Sequence, residues 1–176
     1  MRLKGFSLIL FLLTYCEIAF GQAKYSLNIE AGHLQFRNTI VDVDPGPNWQ
    51  GHPLSDRNGY ELSVINGIIF RDKFNLGLGI SYMGFYAASS STHHGLAAFF
   101  NFEYANYKKK VSPLVNLKLG TGLLWNQYEN GSRNFYGEIT AGPMIKLSPK
   151  TQLYAKTGMM IQQQASVIPI KIGLRF

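Results

Sequence analysis

The 176-residue chain has one cysteine, Cys16, so an internal disulfide framework and any cysteine-based metal knuckle are excluded. Charge is scarce too: 15 % of residues are charged, against about 25 % in an ordinary soluble domain. No apolar run reaches the ~20 residues that a membrane-spanning helix needs, and the mean hydropathy of −0.03 rules out a helical membrane bundle. Aromatic residues are not scarce. They make up 14 %, and apolar residues 46 %, which is enough apolar surface to offset chain entropy and exclude low-complexity disorder. The length suggests one domain.

Residues 1–21 read as a secretory leader, with Arg2 and Lys4 as the charged start and Phe6 to Leu13 as the apolar run. Ala19 and Gly21 supply the small residues three and one before a cut ahead of Gln22. Acylation at Cys16 is the alternative, and bulky Tyr15 before it argues for simple cleavage. The remaining 22–176 form the expected domain, with 15 basic and 9 acidic residues.

Period-two alternation then recurs eight times, with no sustained helical stripe. Tyr25, Leu27, Ile29 and Ala31 alternate with Ser26, Asn28, Glu30 and Gly32. Runs beginning near Tyr60, Leu76, Leu96, Val115, Phe135, Leu153 and Ile168 repeat the pattern. Arg71-Asp72-Lys73 and Ser148-Pro149-Lys150 are short connections, 105–112 is moderate, and 37–57 is long and rich in Asp, Pro, Gly and Asn. Short turns on one rim and longer loops on the other are the pattern of a transmembrane β-barrel, here all-β, eight-stranded, antiparallel and up-and-down. His33 falls where the first alternation shifts toward Leu34 and Phe36, and reads as a bulge or strand end.

Alternation alone does not say which face is outside. A secreted soluble barrel carrying an apolar ligand would place its apolar face inward. The polar face here is dominated by glycine and serine rather than by Lys and Glu, which suits a narrow lumen better than a solvated exterior. By strand parity Glu30, Glu61, Glu103 and Glu138 fall on the polar face with Lys118, Lys156, Lys171 and Arg175, and these charges cancel. The short-turn rim collects Lys24, Arg71, Lys73, Lys108, Lys109, Lys110, Lys146 and Lys150 against Asp72 alone. No charge remains for the apolar face, where a Lys or Arg at mid-depth would cost about 2–4 kcal/mol in lipid. The expectation is a lumen filled by side chains and locked by that charge network, with lipid outside.

The last strand, with Ile170, Ile172 and Leu174 alternating up to a terminal Phe176, resembles the C-terminal insertion signal of bacterial outer-membrane barrels. With the leader, the whole chain after residue 21 resembles the small eight-stranded outer-membrane proteins of the PorT-like and OmpA/OmpX-like group. That resemblance implies a Gram-negative outer-membrane location with both termini periplasmic. Its implied partners are outer-membrane lipid and lipopolysaccharide, periplasmic chaperones and the barrel-assembly machinery. No cofactor and no nucleic acid is expected, and a monomer is. Function then falls to the loops, first of all 37–57 with Trp49, in contact with a surface or secretion-system protein.

The competing class is a lipid A-modifying hydrolase. Ser91, His93 and His94, with Glu103 further on, are the residue types of a nucleophile, base and acid. Some eight-stranded outer-membrane barrels are lipid A deacylases, but their His-x-Ser-Asn arrangement is missing, because Gly95 and Leu96 follow His94. The histidine pair reads instead as part of a polar, solvated loop. Asp42, Asp44 and His52 match no metal-loop spacing, Asn130-Gly131-Ser132 reads as a turn, and Lys108 to Lys110 as a turn touching acidic lipid or peptidoglycan.

Overall fold

A computed structural model describes residues 23–40, 58–86, 93–124, 133–162 and 165–176. Eight strands close into one antiparallel barrel in sequence order: β1 (Lys24–Thr39), β2 (Gly59–Phe70), β3 (Phe74–Phe85), β4 (His93–Ala105), β5 (Val111–Leu124), β6 (Arg133–Lys146), β7 (Gln152–Gln162) and β8 (Ala165–Arg175). β1 pairs with β8 to close the wall, from Asn28↔Arg175 to Thr39↔Ala165. All edges are thereby satisfied, as a barrel in a medium without water requires. The leader, Cys16, most of the first loop with Trp49, Asp42, Asp44 and His52, Ser91, and Asn130 to Ser132 lie outside the described residues.

Three connections on one rim are short: 71–73, 106–110 and 147–151. At the first, Arg71 and Asp72 have φ of 51° and 53°, and Lys73 N–H donates to Phe70 O at 3.0 Å. Positive φ at both central positions marks the primed turns that match strand twist. On the opposite rim the connections are longer, except that β7 and β8 are separated by only two residues. The first loop is narrower than 37–57, because β1 continues to Thr39.

Large apolar side chains face outward in a belt around the barrel. Leu62, Leu78, Ile80, Phe100, Ile139 and Ile172 are each more than half exposed, and Phe100 is 72 % exposed. The soluble-carrier arrangement needs this face inward, and it is outward. The interior is layered. Near the long-loop rim Leu34, Ile65, Met83, Phe85, Phe99 and Met160 form an apolar cluster. Near the short-turn rim Ile69, Leu114, Met144, Tyr107 and Tyr154 form a second. The charged side chains lie buried along the lumen.

His33 is neither a bulge nor a strand end. It pairs with Tyr60 and with Ile170 in unbroken register, and the irregularity against β8 comes later, between Phe36 and Asn38. The alternation changes at His33 because the lumen itself turns apolar there. Leu34 and Phe36 enter the upper cluster, while His33, Gln35 and Arg37 take the outer face near the rim.

Some glycines of the polar face are seats for large lumen side chains, while at others, such as Gly142 and Gly158, the backbone of the neighbouring strand comes close. A Cβ on Gly79 would stand 2.4 Å from the Phe99 ring, and one on Gly173 would stand 2.4 Å from the Tyr154 ring. Gly32 leaves room in the same way for the Lys171 stem. Small residues on one strand thus admit long ones from another, which is how so narrow a barrel fills itself.

Candidate functional site

Parity along each strand carries the charged residues into the lumen at overlapping heights. Glu30 on β1 accepts from Lys118 Nζ on β5 at 2.6 Å and from Lys156 Nζ on β7 at 2.7 Å, one lysine on each carboxylate oxygen. Tyr154 Oη adds a third bond to Glu30 at 2.9 Å. Glu138 on β6 pairs closely with Lys171 on β8, and lies 3.8 Å from Lys118 and 3.9 Å from Lys156. Lys171 also lies 2.7 Å from Glu61 on β2, which accepts from Ser63 Oγ at 2.7 Å. The Tyr136 hydroxyl stands between Glu61 and Glu138, at 3.0 and 2.9 Å.

These three acids and three lysines form one neutral group. Glu103 and Arg175 form a second toward the short-turn rim. There Arg175 bonds Glu103, donates from Nε to Asn28 Oδ1 at 2.9 Å, and is flanked by the rings of Tyr107 and Tyr154 at 4.8 and 5.3 Å. Tyr107 Oη donates to Glu103 at 2.7 Å. All eight charged side chains are essentially inaccessible. At such burial an ion pair is tolerable when each charge is matched and hydrogen-bonded, and asparagines contribute to this: Lys156 donates to Asn116 at 2.7 Å, and Asn116 to Asn101 at 2.7 Å. The Asn28 and Asn101 amide nitrogens and one Glu103 oxygen keep no hydrogen-bond partner among the described residues.

Tyr107, Tyr136 and Tyr154 supply hydroxyls to this network; the sequence alternation puts Tyr154 on the polar face with Lys156, whereas Tyr107 and Tyr136 are not singled out by it. The same parity finds Tyr136, two residues from Glu138, as it does Tyr154, two from Lys156; Tyr107 lies in the turn after β4, where parity gives no signal. Chemically the arrangement braces the wall: every carboxylate is paired with a lysine or arginine and accepts from a hydroxyl, though the second oxygen of Glu103 is buried without a hydrogen-bond partner among the described residues.

The two histidines begin β4, so they are not a solvated loop pair. Strand geometry sends them to opposite faces. His93 points inward and is buried, whereas His94 faces outward, with Nδ1 bonded to the Tyr82 hydroxyl and its ring stacked on Tyr82 at 5.8 Å. Tyr60 stands 6.1 Å from both Tyr82 and Tyr86, which extends this outer aromatic patch near the long-loop rim. Glu103 lies at the other end of β4, on Arg175. As its spacing along one strand implies, Glu103 is therefore not brought to His93 or His94.

On β8, Ile170, Ile172, Leu174 and Phe176 present one outward apolar row, each more than a third exposed. Phe176 is held in the wall by its backbone, donating to Leu27 O at 2.9 Å and accepting from Leu27 N–H at 3.1 Å.

No family model and no curated protein matches the sequence. Solved structures do match the fold. Neisserial surface protein A is similar with a TM-score of 0.67 at 12 % identity, over 87 % of this chain and 97 % of that one. The N-terminal β-barrel domain of Pseudomonas aeruginosa OprF gives 0.52 at 15 % identity, over 88 % and 100 %. The outer membrane enzyme PagL gives 0.52 at 12 % identity, over 86 % and 98 %. The chain thus has the closed, all-antiparallel eight-stranded fold of the small outer-membrane barrels.

Proposed function

We propose that the protein is an outer-membrane barrel of structural or surface-interaction type, with a closed lumen and its function carried by the loops opposite the short turns, 40–58 foremost. In this reading residues 1–21 are removed on export, the short-turn rim and both ends of the mature chain face the periplasm, and the long loops meet lipopolysaccharide or a surface or secretion-system protein. The row from Ile170 to Phe176 serves assembly by the barrel-assembly machinery after delivery by periplasmic chaperones. The observation that carries the proposal is the filling of the lumen. Among the described residues a neutral charge layer lies between two apolar clusters, which supports a filled lumen over a solute channel.

The hydrolase alternative asks His93 or His94 to share a site with an acid; Glu103, at the far end of the same strand and paired with Arg175, does not supply it, which favours the interaction reading. The test is conductance of the purified protein in planar bilayers together with lipid A mass spectra from cells with and without it. Silence in both, with protease cleavage within 40–58 on intact cells, supports the proposal. Sustained open-channel steps, or loss of an acyl chain from lipid A, would overturn it.

A further inference from the structure

A cleft of about 480 Å³ opens at the short-turn rim beneath the β1–β8 seam. Its walls differ in chemistry. Tyr25, Leu27 and Phe176 line it from the outer, apolar face, while Lys24 and Lys146 line it from strand ends and Lys108 and Lys150 from the turns. The charges in it are unequally matched. Arg175 is taken by Glu103, and Lys24 and Lys108 share Asp72 at 2.5 and 3.1 Å. Lys146 and Lys150 have no acidic side chain within ion-pair distance among the described residues; the Phe176 carboxylate is the one other acidic group at the cleft.

The two lysines are nevertheless presented by ordered backbone. Lys146 N–H donates to Lys110 O at 2.8 Å, and Ser148 Oγ accepts from the N–H groups of Lys150 and Thr151 at 3.2 and 3.0 Å, fixing that turn. A cationic site that continues directly into an exposed apolar wall suits an amphiphile, not a free anion. A phosphate would use the lysines only and leave Tyr25, Leu27 and Phe176 idle. Basic groups at a membrane boundary attract anionic headgroups, each by about fivefold in affinity.

We propose that this cleft seats the headgroup of an anionic phospholipid in the leaflet at the short-turn rim. Lys146 and Lys150 hold the phosphodiester, and Tyr25, Leu27 and Phe176 take the first acyl carbons. The proposal rests on the membrane insertion argued above and adds a specific lipid class to the rim.

Native mass spectrometry of the detergent-solubilised full chain tests it, with dioctanoyl phosphatidylglycerol and dioctanoyl phosphatidylcholine as probes. The expected result is one phosphatidylglycerol retained in preference to phosphatidylcholine, with retention falling at least about fivefold in K146Q/K150Q. K109Q/K110Q removes the same charge from the same rim outside the cleft, and should stay within about twofold of the wild type. Equal retention of the two lipids overturns the proposal, as does an equal fall in both variants, which would mean diffuse attraction by the rim. Displacement by inorganic phosphate at equal concentration would identify an anion site instead, and preferential retention of lipopolysaccharide a different occupant. An unboiled, fast-migrating gel band from each sample reports the barrel separately, so its absence from the wild type would count against the membrane reading rather than the cleft. Where K146Q/K150Q fails to give that band, K150Q alone, in an exposed turn, serves in its place.

Discussion

Replacing Glu138 by Ala removes the acid that touches all three lumen lysines. Lys171, Lys118 and Lys156 then face only Glu30 and Glu61, so the sealed lumen holds one unmatched positive charge. Two unit charges 4 Å apart interact by about 4 kcal/mol at an effective dielectric near 20. Breaking a buried pair from one side costs about 3–5 kcal/mol, because the partner stays buried without its counterion. Tyr136 and Thr140 also lose an acceptor, at 2.9 and 3.4 Å. The expected loss for E138A is thus about 3–5 kcal/mol. Restoring neutrality should return much of it: E138A/K171M removes both ends of the closest pair, so its cost should fall well below the sum of the two single changes, with a coupling of about 1–3 kcal/mol. The assay is reversible urea unfolding in detergent, followed by tryptophan fluorescence and by the gel shift of the folded barrel. A loss below about 1 kcal/mol for E138A would refute the reasoning. So would strict additivity in the double variant, since it would mean that the charges do not sense one another.

Phe100→Arg places a charge at the most exposed point of the apolar belt. It should cost about 2–4 kcal/mol in lipid vesicles, whereas a change within about 0.5 kcal/mol, as on a solvated surface, would refute a lipid-facing wall. Gly79→Ala drives a methyl to 2.4 Å from the Phe99 ring and 3.0 Å from Ile65, so about 1–3 kcal/mol should be lost. Gly79→Ala with Phe99→Leu should recover part of that, and no recovery would mean the strain lies elsewhere. At the first short turn the Asp72 carboxyl is held below its ordinary value, chiefly by the hydrogen bond from Lys24, against a smaller opposing effect of burial and with help from Lys108. A depressed folded value stabilises above the unfolded value of about 3.9, and the contribution is lost as pH falls below it. Both lysines are largely exposed, so the increment is ~1 kcal/mol or less. Unfolding midpoints between pH 6 and 3, on the order of the range where the carboxyl titrates, should fall less steeply in D72N than in the wild type, and identical slopes would contradict the pairing.

Strand number and facing are legible because one physical rule governs both faces. On a wall that faces lipid, as proposed, a residue of the wrong polarity is costly, which accounts for Leu76, Leu78 and Ile80 alternating with small lumen residues. Glu30 and Lys118 are placed by the same rule, but their pairing is not, because 88 positions separate them and only barrel closure makes them neighbours. Errors gather where the polarity of the medium reverses along one strand. Above Gly32 the lumen turns apolar and the outer surface nears the polar rim, so Leu34 and His33 exchange the faces that hydrophobicity alone would give them. The geometry continues unbroken while the pattern inverts, and a reading based on pattern mistakes this for a bulge. His93 and His94 mislead for a related reason: near a rim either face tolerates a polar ring, so composition there no longer separates strand from loop.

Three of the lumen contacts join strands that the wall keeps furthest apart. In a closed ring of eight, β1 stands opposite β5, β2 opposite β6, and β4 opposite β8. Glu30 to Lys118 crosses the first pair, Glu61 to the Tyr136 hydroxyl the second, and Glu103 to Arg175 the third. A backbone ladder between neighbours is nearly indifferent to a two-residue slip, because such a shift keeps every side chain on its own face. The cross-lumen bonds are not indifferent, since two residues move a carboxylate about 7 Å along its strand and out of reach of its lysine. The charges therefore specify register, which the repetitive Gly and Leu alternation of the wall specifies poorly. They also explain how a barrel can carry long connections on one rim: the walls are braced from inside, so those connections need not hold the fold together.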